Sequence, residues 1–300
     1  MNAAAALPPS SPAKSGPGYG PDRSWRASLR LGFRADARRT VLERMEFFGP
    51  LRVQRPFHPE GGPCHCYLLH PPGGLVSGDR LRIEAQVGPG AHALLTTPAA
   101  GKVYGADSHN VGQEQDVRLA ADGGVLEWLP METIVFDRAN ATLRTSVELE
   151  GEARCLGWDI LCLGRPAGGH PFTQGQVTQS LHISRAGVPL LEERLRLAGG
   201  GPVLSGAFGL AGQPVFGTLW AVGLDDAAAG PLLAGIRTDL GGAGDPRAGL
   251  MAATYRLGVL LVRYLGPSTE ECRERFQRAW ALLRPECAGR AACPPRIWST

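Results

Sequence analysis

Leu81-Arg82-Ile83-Glu84-Ala85-Gln86-Val87-Gly88-Pro89-Gly90-Ala91-His92-Ala93-Leu94-Leu95-Thr96-Thr97 is the stretch on which the reading of this chain turns. Leu81, Ile83, Ala85 and Val87 point one way and Arg82, Glu84 and Gln86 the other, the two-residue period of a half-buried strand. Gly88-Pro89-Gly90 then turns the chain into a second strand, Ala91–Thr97. The pattern returns at residues 142–150, where Leu143, Val147 and Leu149 oppose Arg144, Glu148 and Glu150. It returns again at Val177–Arg185 and, across Ala186-Gly187-Val188-Pro189, at Leu190–Leu197. Strands at roughly 8–14-residue intervals with Gly or Pro between them predict two packed sheets and a mainly β protein.

The totals agree. Gly 41 and Pro 25 in 300 residues demand frequent turns, and 43% apolar with 20% charged residues is an ordinary soluble composition. The formal net charge is only +3. Lys14 and Lys102 are the only lysines, and the arginines are spread along the chain without basic blocks, so nucleic acid is not an expected partner. No apolar run approaches the ~18 residues that span a bilayer, and residues 1–20 lack the basic start and apolar core of a secretion signal. With seven unevenly spaced cysteines, these features predict a reduced, cytoplasmic protein. Residues 1–22, rich in Ala, Pro, Ser and Gly, are expected to be a disordered tail, followed by a single β-rich domain over 23–300.

About two helices are expected. One covers 226–240 and ends at Gly241-Gly242. The clearer one lies near the C-terminus, capped by Ser268 or Thr269, with Glu270 and Glu271 in its first turn, Phe276, Trp280 and Leu283 along its apolar stripe, and Pro285 as its stop. Leu257–Leu265 reads as a strand. The Phe47–Gly49 and Val53–Phe57 stretches would suit a partner surface as well as a core.

Candidate sites cluster around acids and one Cys/His segment. In Cys64-His65-Cys66-Tyr67-Leu68-Leu69-His70, thiolates and imidazoles are good nickel or zinc ligands. Strand alternation nevertheless puts Cys64 and Cys66 on one face and His65 on the other, so these and His70 are weak metal candidates. Asp79, beside Gly73, Gly74 and Gly78, is either a turn cap or a contact for a small cation or a partner backbone. Asp159 lies in a strand apolar on both faces, Gly157–Arg165. Glu193 alternates with Leu191, Leu195 and Leu197, and Glu127 shares a face with Val125 and Leu129. A buried unpaired carboxylate costs several kcal/mol, so each such acid is either in an internal ion pair with an arginine or lines a wet passage for a divalent ion. The sequence lacks a Walker A string, a His-Glu-x-x-His and a Gly-x-Ser-x-Gly elbow, and Gly199-Gly200-Gly201-Pro202 reads as a plain turn.

Five segments in order resemble the urease accessory protein UreD (UreH) family. They are Leu51–Phe57, His70–Asp79, Ala93–Lys102, Leu126–Pro130 and Gly157–Arg165, and the Pro295–Thr300 ending is similar too. The resemblance implies stacked sheets of β-helical character and no catalysis. It further implies that the chain binds UreF, which recruits the GTPase UreG, and that the assembly docks on nickel-free urease. Nickel would be in transit through an internal tunnel, with no tightly bound cofactor and GTP held by the partner GTPase alone. Asp79, Asp159 and Glu193 fall at acid positions of these segments, so the resemblance gives them a nickel-passage role. The competing expectation from the residues alone is a β-sandwich metal-dependent hydrolase built on His70, Asp79 and the Cys64–Cys66 pair.

Overall fold

The structure, a computed structural model, describes residues 24–239 and 249–299. The expected tail and the Gly241-Gly242 helix end lie outside the described residues. The chain opens with the antiparallel pair β1 (Trp25–Ala35) and β2 (Thr40–Phe48) and the short β3 (Arg52–Val53). It then winds as a coil through β4 (Cys64–Leu69), β5 (Asp79–Val87), β6 (His92–Thr96), β7 (Gly101–Val103), β8 (Gln113–Asp122), β9 (Val125–Trp128), β10 (Thr133–Val135), β11 (Asn140–Glu150), β12 (Arg154–Leu163) and β13 (Gln176–Arg185). The longer strands of this run alternate between two sheets. β5, β8, β11 and β13 stack in parallel in one, and β4, β6, β9 and β12 in the other. The short β7 and β10 form a third parallel strip that joins the second half of β12. This is the expected β-helical winding.

β14 (Val188–Ala198) closes a seven-stranded sheet in the order β14-β13-β11-β8-β5-β1-β2. A one-turn helix, α1 (Pro202–Ser205), follows where the sequence reads as a plain turn. β15 (Val215–Val222), helix α2 (Asp226–Asp239), β16 (Leu250–Arg256) and β17 (Val259–Gly266) come next, and their strands extend the ten-stranded second sheet from β12 in the order β15, β17, β16, each antiparallel to its neighbour. Helix α3 (Thr269–Ala288) packs across β12, β15 and β17. Among the described residues no helix is long and apolar enough to cross a membrane.

The corners of the coil explain much of the glycine content. Gly90 and Gly123 stand one above the other, both at positive φ, linked by Gly90 N–H to the Gly123 carbonyl at 3.2 Å. A Cβ on Gly124 would lie 2.5 Å from the Gly88 carbonyl oxygen, so backbone fills the space a side chain would need.

Two cores result. Cys155, Leu161 and Leu163 of β12 face the space between the sheets, while Leu156, Trp158, Ile160 and Cys162 lie under the helices. A middle-layer strand is buried on both faces, which is why this one reads as continuously apolar. Helix α3 starts as expected, with the Ser268 hydroxyl accepting from Glu271 N–H at 3.2 Å. It does not stop at Pro285. It continues through that residue to Ala288 and ends at Gly289 in the left-handed region. The proline removes one helical hydrogen bond, but Arg284 and Cys287 on either side of it are fully buried, and their packing outweighs that loss.

Arg284 is the hub beneath this helix. Its guanidinium donates to both Glu60 oxygens at 2.7 Å and through Nε to Glu127 at 3.0 and 3.1 Å. Glu127 also accepts from His92 at 2.7 Å and from the Trp280 indole at 2.6 Å, and Glu60 accepts from His65 at 2.7 Å. Burial alone would raise the Glu60 carboxyl, but hydrogen bonds from His65 and Arg284 bring it down to about 2. The same contest, won by His92 and Arg284, leaves Glu127 below the usual carboxylate range. For Glu127 the ion-pair reading of the sequence is therefore the correct one. Arg284→Met strands two buried carboxylates and should lower the unfolding free energy by on the order of 3–5 kcal/mol, read from urea denaturation at neutral pH. Adding Glu60→Gln and Glu127→Gln should recover part of that loss; no recovery would contradict the hub.

Candidate functional site

Polar side chains interrupt the inward apolar rows of both sheets at one level. On β11 the inward series is Leu143, Thr145, Val147, Leu149, and Thr145 breaks it. Register aligns Thr145 with Leu181 of β13 and Glu193 of β14. Gln115 and Gln179 stand two residues earlier on β8 and β13, flanking Leu143. In the facing sheet, Asp159 of β12 pairs with Thr218 of β15, which pairs with Arg263 of β17. Two polar rows thus confront each other inside an otherwise greasy sandwich.

Asp159 is the centre of this seam. One of its oxygens accepts from the Thr145 hydroxyl at 2.8 Å and the other from the Trp128 indole at 3.3 Å. Among the described residues no guanidinium pairs with it. Burial pushes its carboxyl up to about 6, and the Thr145 and Trp128 hydrogen bonds only partly oppose that. A cavity of ≈ 80 Å³ lies against Asp159, Trp128, Thr145, Gln115 and Gln179, room for several water molecules. A second cavity of ≈ 320 Å³, lined by Glu193, Thr218 and Arg263, shares Asp159 and Gln179 with the first. Asp159 stands where the two meet. Glu193 sits at the wetter end and is clamped by Arg263, whose Nη2 donates to Oε1 and whose Nη1 donates to Oε2 at 3.1 Å.

The other sequence candidates do not join this seam. Asp79 is buried at the start of β5, where its Oδ2 accepts from Val76 N–H at 2.9 Å. It is a turn cap, and burial raises its carboxyl. It stands four residues before Ile83, the β5 residue at the level of Thr145, and it lines neither cavity. Cys64 and Cys66 share the inward face with sulfurs 3.9 Å apart, and His65 points the other way to Glu60, as alternation predicts. His70 is half-buried, and burial lowers its imidazole. Among the described residues no three His, Cys, Asp or Glu side chains come together as a metal-ligand group. The hydrolase constellation is therefore not assembled among the described residues, because His70 lies past the end of β4 and Asp79 on β5, away from the Cys64–Cys66 pair.

Sequence reading passed over Thr145, Gln115, Gln179, Arg263, Glu60 and Arg284. The signal for the first three was present as polar residues on the apolar side of alternating strands. For Arg263, Glu60 and Arg284 no local pattern marks the pairing, since the contacts span 70 to 224 residues of sequence.

The fold and seam define a class: a coiled β sandwich with a polar seam between its sheets. A sequence model described as UreD urease accessory protein matches residues 26–299. The chain is 50% identical over 294 residues to a urease accessory protein UreD of Marinobacter nauticus, covering 95% of this chain and 96% of that one. Against the Chromohalobacter salexigens protein of the same name it is 47% identical, covering 95% and 92%. The chain belongs to the UreD urease accessory protein family, and its role is that of an accessory protein rather than a catalyst.

The folded value of the Asp159 carboxyl, about 6, lies above its unfolded value of 3.8. Ionisation therefore weakens the fold, by an amount that grows as pH rises from the lower value to the higher and then stays constant. Asp159→Asn should raise the unfolding free energy at neutral pH by on the order of 1–2 kcal/mol. Urea titrations should show that gain shrinking below the folded value and gone below the unfolded one. An Asn variant less stable than the parent at neutral pH would show that the carboxylate is favourably solvated in place.

Proposed function

We propose that this chain is a cytoplasmic maturation scaffold for urease. It binds UreF, recruits the GTPase UreG through UreF, docks the assembly on nickel-free urease and conducts nickel toward the urease active site. Nickel is cargo in this reading, the chain holds no resident cofactor, and GTP belongs to the partner GTPase. Family membership supports the accessory role. The observation that carries the ion path is the Asp159 carboxylate, set without a cationic partner among the described residues where two inter-sheet cavities meet.

The chemistry of the seam suits transit more than storage. Oxygen donors and water bind a divalent ion weakly enough to let it leave, whereas paired thiolates would retain it. Asp159 and Glu193 are the proposed stops. Arg263 shares Glu193, so an ion reaching that carboxylate displaces a guanidinium. Asp79 serves the path only indirectly, by holding the turn that leads into β5.

Asp159→Ala and Glu193→Ala, each co-expressed with UreF, UreG and urease, test this reading. Both variants should still co-purify with the partners, while nickel per urease active site falls about tenfold or more, the scale on which groups supporting a metal site act. Full nickel content in both would remove the ion path. A parent chain that retains neither UreF nor nickel-free urease would remove the scaffold itself.

A further inference from the structure

The outward face of the seven-stranded sheet gathers arginines that lie far apart in sequence. One cross-strand row reads Arg26, Arg80, Glu114, Thr142, Thr178, Arg196 from β1 to β14. The row beside it runs from Phe48 of β2 through Ser28, Arg82, Asp116, Arg144 and Ser180 to Arg194. At about 4.8 Å per strand, this band is roughly 29 Å long, close to the width of one partner's footprint in a standard protein interface.

A cleft of ≈ 680 Å³ occupies the centre of the band, lined by Arg26, Arg30, Arg80, Arg82, Arg118 and Arg144 against only Glu114 and Asp116. Glu84 and Glu46 pair with Arg30, so five further guanidinium groups face two carboxylates, an excess of three positive charges, equal to the +3 formal charge of the whole chain. The two acids are shared thinly. Glu114 lies 4.0 Å from Arg80 and 3.5 Å from Arg144, and Asp116 lies 3.4 Å from Arg82 and 3.0 Å from Arg118. Arg26, Arg80, Arg82 and Arg144 donate no side-chain hydrogen bond within the described residues, though each carries about five N–H donors. Arg26 and Arg80 stand directly beside each other, a like-charge pairing that costs stability. Phe48, 61% exposed, forms an apolar rim to the cleft.

From this we infer that the band is a docking surface for a carboxylate-rich segment of a partner protein. Guanidinium groups match carboxylates geometrically, and Glu114 and Asp116 already hold that place in part. The exposed aromatic at the rim suits an apolar side chain of a protein partner. Single-stranded nucleic acid is held by several stacking aromatics along a groove, and Phe48 is the one aromatic lining this cleft. Residues 1–23 are not a carboxylate-rich segment, since they carry Lys14 and Arg23 against Asp22 alone. The inference is independent of the ion path.

The test uses the full chain, co-purified with its partner if needed, and a fluorescent glutamate peptide of about ten residues at low and high salt. The parent should bind the peptide, with affinity falling steeply as salt rises. The triple variant Arg26→Ser, Arg82→Ser, Arg144→Ser should bind about tenfold more weakly or worse at low salt, while Arg256→Ser on β16 binds as the parent does. Unchanged melting temperature in the triple variant assigns its loss to the surface. Equal peptide binding by parent and triple variant would overturn the inference. So would tighter binding of an oligothymidylate of matched length, or a parent that sediments as a dimer which the triple variant dissolves.

Discussion

One guanidinium holds the layers of this protein together. Arg284 leaves helix α3, reaches Glu127 in the middle sheet and Glu60 in the loop ahead of β4, and is entirely out of water. Its plane also lies over the Trp280 ring, 5.1 Å from the centroid. Apolar packing alone would let a helix slide on a sheet, because burial has no direction. A fork of fixed hydrogen bonds to two carboxylates has only one fit, and it sets where α3 rests. The helix extends past Pro285 to keep that fit, and everything the middle sheet presents to the other side is positioned from there.

Asp159, on that other side, shows the opposite choice. Glu127 and Asp159 project from neighbouring strands toward opposite faces of the same sheet, Glu127 fully buried and Asp159 half-buried against the inter-sheet cavities. Glu127 is neutralised by Arg284 and sits below its usual range. Asp159 has a hydroxyl and an indole but no cation among the described residues, and its carboxyl is raised. The first arrangement stabilises the fold. The second costs stability and leaves a negative site without a fixed counter-charge beside a cavity, which is where a mobile cation finds a partner.

Register does the gathering throughout. Parallel stacking of β5, β8, β11 and β13 aligns every second residue into rows. Past the strand starts, where Asp79 and Gln113 are buried, the inward rows are apolar except at the seam. The outward rows bring together arginines from β1, β5, β8 and β11 that look dispersed when read along the chain. Absence of basic blocks in the sequence is therefore a poor guide to the surface of a coiled sheet.

Alternation at Leu81–Val87, 142–150 and Val177–Arg185, with glycine turns between, determined the strands and the class of fold, because a period of two reports one buried face directly. It also revealed that Glu193 points inward, that Asp159 lies in a strand buried on both faces, and that Cys64 and Cys66 share a face away from His65. Family-like segments carried the accessory role. The partner of each acid was decided only by the tertiary structure, as Glu127 took Arg284, Glu193 took Arg263 and Asp159 took neither. Those pairings join residues on different strands and layers, and a carboxylate's neighbours, unlike its direction, depend on how whole sheets are stacked and not on the residues beside it in sequence.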